Sequence, residues 1–162
     1  MALQSMTALA SITLQEASAS ITFSGIPQNY RDLILVATGT SAADADIQIT
    51  INSDATSGNY SRVTASGNLN NLTASSTTAG NQVTFWGFWS SSQQATFTNQ
   101  FMDYSATDKH KTFLTRANRS GSGVDMIASR WANTAAITSI ALATVGTTFA
   151  TGSTFSLYGR IA

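Results

Sequence analysis

The single histidine of the chain, His110, is the first residue to consider for acid–base or nucleophilic chemistry. A neutral imidazole can activate a serine hydroxyl, and serines are abundant in this sequence. The Gly-x-Ser-x-Gly motif that presents a nucleophilic serine on a sharp turn is absent. His110 stands between Lys109 and Lys111 at the predicted start of a strand, which is typical of a surface histidine. We therefore predict that His110 is not catalytic and that the protein is not an enzyme.

Three aspartates, Asp44, Asp46 and Asp54, are the other candidates for chemistry. A pair of carboxylates can hydrolyse a glycosidic bond, and carboxylate oxygens are also the ligands that calcium prefers. The ligand spacing of an EF-hand loop is absent, and aspartates in turns more often accept hydrogen bonds from their own backbone. We therefore predict no catalytic residue, no metal site and no cofactor, with calcium binding by these aspartates kept as the alternative.

The segment 83–89, VTFWGFW, is the most aromatic stretch of the chain. Period-2 alternation places Phe85 and Trp89 on one face of a strand, and Trp86 and Phe88 on the other. Since a sandwich strand needs only one apolar face, the second pair must be covered by a loop, a neighbouring subunit or a sugar ring stacked on the indole. Trp86 and Phe88 are therefore candidates for an interface or for glycan binding.

Two further strands suggest covered outer faces. In residues 32–40, Ile34 and Val36 form a second apolar face opposite Leu33 and Leu35, and a strand that is apolar on both faces is covered on both sides. Residues 154–161 alternate cleanly, which predicts a half-buried antiparallel strand. Its inward face, with the preceding strand, would place these residues in the core: Phe155, Leu157, Ile161, Ile140 and Leu142. Its opposite face adds two interface candidates, Tyr158 and Arg160.

The strands that position these residues follow one another at intervals of about 8–12 residues, and no segment keeps a helical period. The sequence predicts an all-β fold, an antiparallel jelly-roll-like β-sandwich with nine or ten strands. Residues 1–10 would form an N-terminal arm or a short strand, and residues 11–162 a single domain. Residues 68–82 are mostly polar and predict a long loop that is mobile or binds a partner.

The amino-acid composition argues against several kinds of partner and site. The 162 residues include 8 basic and 8 acidic side chains, only 10% of the chain is charged, and there are no cysteines. A nucleic-acid surface needs a basic excess, so we expect no nucleic-acid partner. Disulfides and thiolate metal sites are excluded, and no stretch approaches the about 18 apolar residues of a membrane span. A low charge with much Ser, Thr and Asn suits a protein that its neighbours partly cover.

Three stretches carry a resemblance to a known family. They are ITSIALATVGTTFATGSTFSLYG in residues 137–159, ITFSGIPQNYRDLILV in residues 21–36 and INSDATSGNYS in residues 51–61. Together they resemble the small β-sandwich virion proteins of tailed bacteriophages, although Ile51 and Ser53 stand where that family has Phe and Gly. The resemblance implies a jelly-roll fold and a location in the phage particle.

Within the particle, the resemblance leaves two roles open. A capsid decoration or cement protein needs only a compact domain that oligomerises on the shell, and we expect a homotrimer that contacts the major capsid protein or other virion proteins. A tail-fibre or spike module that binds host surface glycans is the alternative. A tail fibre normally needs a shaft before its head, and only residues 1–10 precede the first clear strand here, which favours decoration.

Overall fold

The computed structural model describes residues 5–68, 71–119 and 123–161, with the side chains of these residues other than 86–88 and 119. The chain forms an all-β antiparallel sandwich of jelly-roll type, which confirms the predicted fold class. No helix long and apolar enough to cross a membrane is found within the described residues.

The described residues form twelve strands in two sheets. Their bounds are β1 Met6–Thr13, β2 Ser20–Ser24, β3 Asp32–Gly39, β4 Ala45–Ile51, β5 Tyr60–Gly67, β6 Leu72–Gly80, β7 Val83–Trp89, β8 Ala95–Met102, β9 Lys111–Arg119, β10 Gly123–Trp131, β11 Ser139–Thr144 and β12 Thr154–Arg160. The large sheet has the order β1-β12-β3-β8-β9-β10-β5-β6, and the small sheet has the order β2-β11-β4-β7. Every strand pair in both sheets is antiparallel.

The small sheet shows why alternating sequences fold this way. Strand β4 buries its odd-numbered residues against the large sheet, and its partner β11 does the same with alternate residues. The register sets Ile49 opposite Leu142 and Ile51 opposite Ile140, all four fully buried. Because side chains alternate across a strand, this pairing gives the small sheet one apolar face for the sandwich interior.

An aromatic cluster joins the two sheets at one end of the core. The ring of Trp89 in β7 stacks on Phe155 in β12, with centroids 5.8 Å apart and an interplanar angle of 9°. Phe149, in the connection between β11 and β12, meets both rings edge-on at centroid distances of 5.1 and 4.9 Å. Offset and edge-to-face contacts of this kind stabilise aromatic pairs beyond their buried area. The cluster therefore packs β12 of the large sheet against β7 of the small sheet.

The structure corrects the predicted strand count, which is twelve rather than nine or ten. Part of the predicted loop, residues 68–82, is the edge strand β6, which pairs with β5. Its residues are mostly small and hydroxylated, and nearly all are exposed. A strand exposed on both faces needs no apolar alternation, so the pattern that identifies half-buried strands is missing.

A second correction concerns the C-terminal strand. Phe155 and Leu157 are buried as predicted, but Ile161 follows the end of β12 and is 48% exposed. The last inward position is Gly159, where the ring of Tyr30 fills the space that a side chain would need. The ring of Tyr30 thus covers this end of the core, which the sequence pattern had assigned to Ile161. At the other end of the chain, β1 pairs with β12 and spans the expected boundary between residues 1–10 and 11–162.

Candidate interaction surface

The large sheet turns one face to the small sheet and the other away from it. We call the second face the outer face. The strand register defines its central row, which crosses the sheet from β1 to β6 as Ala8, Tyr158, Ile34, Gln100, Leu114, Ala128, Val63 and Ser76. A second row runs parallel to it as Ser156, Val36, Thr98, Arg116, Met126, Ala65 and Ala74. Residues directly opposite each other in such rows pack side by side on one face.

Exposed apolar side chains concentrate on this outer face. Eight large hydrophobic residues are exposed among the residues that the structure describes, and six of them lie on the outer face: Met6, Val63, Leu72, Met102, Val124 and Met126. Met126 is 54% exposed and Val124 is 64% exposed. Single exposed hydrophobic residues are common on protein surfaces, but clusters of them mark interaction sites.

The outer face carries two shallow, open grooves. One groove, of about 750 Å³, is bounded by Leu72, Val124, Met126 and Arg116 among others. A neighbouring groove, of about 460 Å³, is bounded by residues that include Val63, Met102, Leu114, Ala128 and Arg130. The grooves lie on adjoining parts of β9, β10 and β5, so together they form one extended, shallow surface.

Four of the residues proposed from sequence meet on this surface. Tyr158 pairs directly with Ile34, and Arg160 pairs with Asp32 on the same two strands. Val36 lies one row away, and Ile34, Val36 and Tyr158 are each half-exposed. The side chains of the other two candidates, Trp86 and Phe88, lie outside the described residues. The interface roles of all six stay predictions.

Sequence reasoning missed the part of the outer face on β5, β9 and β10. The signal was present in β10, where Val124, Met126 and Ala128 alternate with Asp125, Ile127 and Ser129. Both sets contain apolar residues, so alternation alone does not say which set points inward, and the set with Val124 and Met126 lies outside here. The strand register was needed to join these residues into one surface with Ile34 and Tyr158.

Of three arginines on the outer face, one has an acidic partner and two have none among the described residues. Arg160 contacts Asp32 with an N–O distance of 3.6 Å, and Asp32 also accepts hydrogen bonds from the backbone N–H of Asp103 at 3.0 Å and from Gln100 at 3.2 Å. Arg116 and Arg130 are exposed, and neither makes an ion pair within the described part of the chain. The outer face therefore carries unmatched positive charge beside its apolar residues.

The acid–base candidates do not assemble into a site. His110 is exposed in the loop before β9, and no group of three His, Cys, Asp or Glu side chains able to hold a metal occurs among the described residues. Asp46 is half-buried on β4 and interacts electrostatically with Arg62, while Asp44 is exposed.

Asp54 has a structural role in the turn between β4 and β5. Its carboxylate accepts hydrogen bonds from the backbone N–H of Thr56 at 2.9 Å, from Asn59 at 2.8 Å and from the indole of Trp131 at 2.7 Å. Desolvation alone would raise the pKa of Asp54, but the hydrogen bonds from Thr56, Trp131 and Asn59 outweigh it and hold the pKa well below its usual range. Asp54 is thus an ionised hydrogen-bond acceptor that fixes the turn.

Comparisons with known proteins bear on the fold alone. No protein-family model matches the chain, and no curated protein matches it. Among solved structures, the chain is similar to the crystal structure of galectin LEC-6 from Caenorhabditis elegans, at 8% sequence identity and a TM-score of 0.37. The alignment covers 94% of this chain and 96% of the galectin chain.

Proposed function

We propose that this protein is a structural component of a bacteriophage particle, a capsid decoration or cement protein that forms a homotrimer on the shell. Its partners in this proposal are the major capsid protein or other virion proteins, and its location is the virion. The observation that supports the proposal best is the outer face, which holds six of the eight exposed large hydrophobic residues of the described chain. The resemblance of residues 21–36, 51–61 and 137–159 to phage virion proteins supplies the setting.

Leaving such a face in water costs free energy that an interface would recover. Burying apolar surface contributes roughly 25 cal/mol per Å², and stable interfaces bury about 1,200–2,000 Å² in total. The outer face spans eight strands, and neighbouring strands lie about 4.8 Å apart, so its width is roughly 35 Å. A surface of that width can accommodate a stable interface. In this proposal the outer face contacts the shell, and the contacts within the trimer use a separate surface.

Locating the protein tests this function. Purified particles of the phage that encodes it should contain the chain in many copies, as measured by quantitative mass spectrometry, and labelled antibody should mark the shell in electron micrographs. Sedimentation equilibrium of the purified protein should give a trimer. Particles that lack the protein, or a label confined to the host cell, would contradict the proposal.

A tail-fibre or spike module that binds host glycans is the second candidate, and one observation favours it. Tyr158 is half-exposed beside Ile34 on the outer face, and an aromatic ring in that position can stack on a sugar. One observation argues against glycan binding, since the larger groove has no aromatic side chain among its described lining residues. Binding to a glycan array that Tyr158→Ala abolishes, with label at the tail instead of the shell, would favour this candidate.

We propose no hydrolytic activity. His110→Ala should leave folding and particle assembly unchanged, because His110 is exposed and belongs to no catalytic arrangement in the described part of the chain. Turnover of a host glycan by the parent protein that is lost in His110→Ala or Asp46→Ala would overturn this part of the proposal.

A further inference from the structure

We infer that the outer face binds an acidic, partly apolar polypeptide segment of a different protein, and that Arg116 and Arg130 are the residues that select it. The inference deepens the proposed function by naming the chemistry of the partner segment and the residues that select it. It rests on that function only where it identifies the partner as another protein of the particle.

The two arginines stand on either side of an apolar stripe. Arg116 in β9 lies opposite Met126 in β10, and Arg130 lies four residues further along β10. Between them the central row of the outer face crosses the same strands as Leu114, Ala128 and Val63. At about 3.3 Å per residue along a strand and about 4.8 Å between strands, the two backbone positions are roughly 14 Å apart.

The outer face supplies no carboxylate of its own to these guanidinium groups. Among the described outward positions of the large sheet, the acidic residue is Asp32, and its carboxylate is already held by Arg160, Gln100 and the backbone of Asp103. Arginine is enriched in interface centres because its planar guanidinium binds carboxylates through two hydrogen bonds and its stem covers apolar surface. A partner with two carboxylates around an apolar centre complements this arrangement in both charge and polarity.

A second copy of this chain does not meet that requirement. Two copies joined outer face to outer face would bring Arg116 and Arg130 together with their counterparts and with no free carboxylate between them. Burying unpaired charges of one sign is strongly unfavourable. A nucleic acid would offer phosphates, but the protein has no basic excess, with 8 basic and 8 acidic residues, and the surface between the two arginines is apolar.

The spacing also indicates the form of the bound segment. On one face of an extended strand, carboxylates four residues apart are separated by about 13 Å, with one side chain between them. An extended segment of the form Glu-x-Val-x-Glu would therefore place both carboxylates near the arginines and its central valine on the apolar stripe. The shallow grooves beside the stripe leave room for such a segment.

Charge removal at the two arginines tests the inference. The variant Arg116→Gln/Arg130→Gln, the face variant, is compared with Arg31→Gln/Lys109→Gln, the loop variant. The loop variant removes the same number of positive charges from exposed loop residues that pair with Asp103.

Fluorescence anisotropy measures the binding of two peptides to each protein. The peptides are Thr-Glu-Thr-Val-Thr-Glu-Thr and its analogue with both glutamates replaced by glutamine. We expect the parent and the loop variant to bind the acidic peptide within about twofold of each other. The face variant should bind about 10-fold more weakly, and the glutamine analogue should bind as weakly to all three proteins.

A second measurement uses particles assembled without the protein. Parent and loop variant should bind these particles, the face variant should not, and Met126→Gln should bind weakly because it removes exposed apolar surface without changing charge. Equal binding of the two charge variants in both assays would overturn the inference, as would tighter binding to heparin or DNA than to the acidic peptide. Self-association of the parent that Met126→Gln abolishes would also overturn it, because the occupant would then be a second copy.

The two proposals fail in different ways. If the protein is absent from particles but binds the acidic peptide through Arg116 and Arg130, the proposed function is wrong and the inference stands. If it is present in particles and binds them equally well with both arginines replaced, the proposed function stands and the inference is wrong.

Discussion

Strand β4 separates its polar and apolar residues by face, whereas strand β10 mixes them on both faces. Strand β4 of the small sheet is apolar inside, at Ala45, Ile47, Ile49 and Ile51, and polar outside, at Asp46, Gln48 and Thr50. Strand β10 of the large sheet buries two polar residues, Asp125 and Ser129, together with Ile127 and Trp131. Its outward positions are Val124, Met126, Ala128 and Arg130.

This difference indicates that the outward sides of β4 and β10 face different environments. A sandwich strand that faces water on one side normally keeps its polar residues there, as β4 does. The neighbour of β10, β9, is mixed in the same way, since Lys111 and Thr115 are buried beside Phe113 while Leu114 faces outward. The ammonium of Lys111 donates to the backbone carbonyls of Lys109 and Thr134, at 2.9 and 3.0 Å. Water is therefore the expected environment for the outward side of β4, and a partner is the expected environment for the outer face.

The largest effect should separate the core from the outer face within one strand. Phe155 is fully buried against Trp89 and Phe149, so Phe155→Ala should lower the free energy of unfolding by roughly 3–5 kcal/mol. For a domain of this size that corresponds to a fall in Tm of about 6–20 °C. Tyr158→Ala, on the outer face of the same strand, should stay within about 1 kcal/mol of the parent. Thermal melts of both variants measure this, and a larger loss for Tyr158→Ala would mean that the facing of β12 is inverted.

The next effect concerns the buried hydroxyl of Tyr60, which accepts a hydrogen bond from the backbone N–H of Ile51 at 3.0 Å and donates to the carbonyl of Asp54 at 2.9 Å. Burial raises the pKa of Tyr60 from 10.0 to about 12, and the nearby charge of Asp54 adds to this. Since the unfolded state releases this proton at lower pH, the hydroxyl stabilises the fold fully below pH 10 and loses that contribution between pH 10 and 12.

Tyr60→Phe should therefore lower the free energy of unfolding by about 1–3 kcal/mol at neutral pH, because two buried hydrogen bonds are lost. Between pH 10 and 12 the difference between parent and variant should shrink. Urea denaturation at a series of pH values measures both quantities. A difference that stays constant across this range would show that the hydroxyl does not titrate as its burial requires.

A smaller effect of opposite sign is expected on the inner face of the large sheet. The hydroxyl of Thr115 and both amide atoms of Asn99 are buried without a hydrogen-bond partner among the described residues. Because an unpaired buried hydroxyl is costly and valine has nearly the same shape, Thr115→Val should be neutral or stabilise the protein by up to about 1 kcal/mol. Chemical denaturation measures the change. A clear loss of stability would reveal a hydrogen-bonded partner at this position, such as an ordered water molecule.

The smallest effect should occur on the outer face. Met126 is 54% exposed, so Met126→Gln should change the free energy of unfolding by less than about 0.5 kcal/mol. The matched change on the inner face, Ile127→Gln, buries an amide and should cost several times more. Similar losses for both variants would mean that Met126 is packed inside the isolated protein, and the contrast between β4 and β10 would no longer hold.

Local pattern was sufficient for much of the fold. Alternation predicted the burial of Phe155, Leu157, Ile140 and Leu142, which all lie in the core. It failed at Ile161, because nothing in a local pattern shows that the ring of Tyr30 already closes that end of the core. It also failed for β6, whose mostly small residues are exposed on both faces.

The candidate surface was less predictable than the fold because it depends on pairing between distant strands. Ile34, Val36, Tyr158 and Arg160 were proposed separately, and only the pairing of β3 with β12 makes them neighbours. Arg116 was not proposed, because a single arginine in an alternating strand is normal. The strand register places Arg116 beside Met126. The ion-pair distances show that it has no acidic partner in the described part of the chain.

The place of β12 in the large sheet has a kinetic consequence. Of the described strands it leaves the ribosome last, yet it lies between β1, the first, and β3. Until β12 arrives, β1 has no strand partner in the sheet and β3 has an open edge, and both expose backbone groups that can pair with other chains. Folding must therefore wait for contacts that are distant in sequence, which makes it slow, on the order of milliseconds to seconds. Nascent chains that have not yet released β12 should depend on chaperones, and chains cut before Thr154 should aggregate.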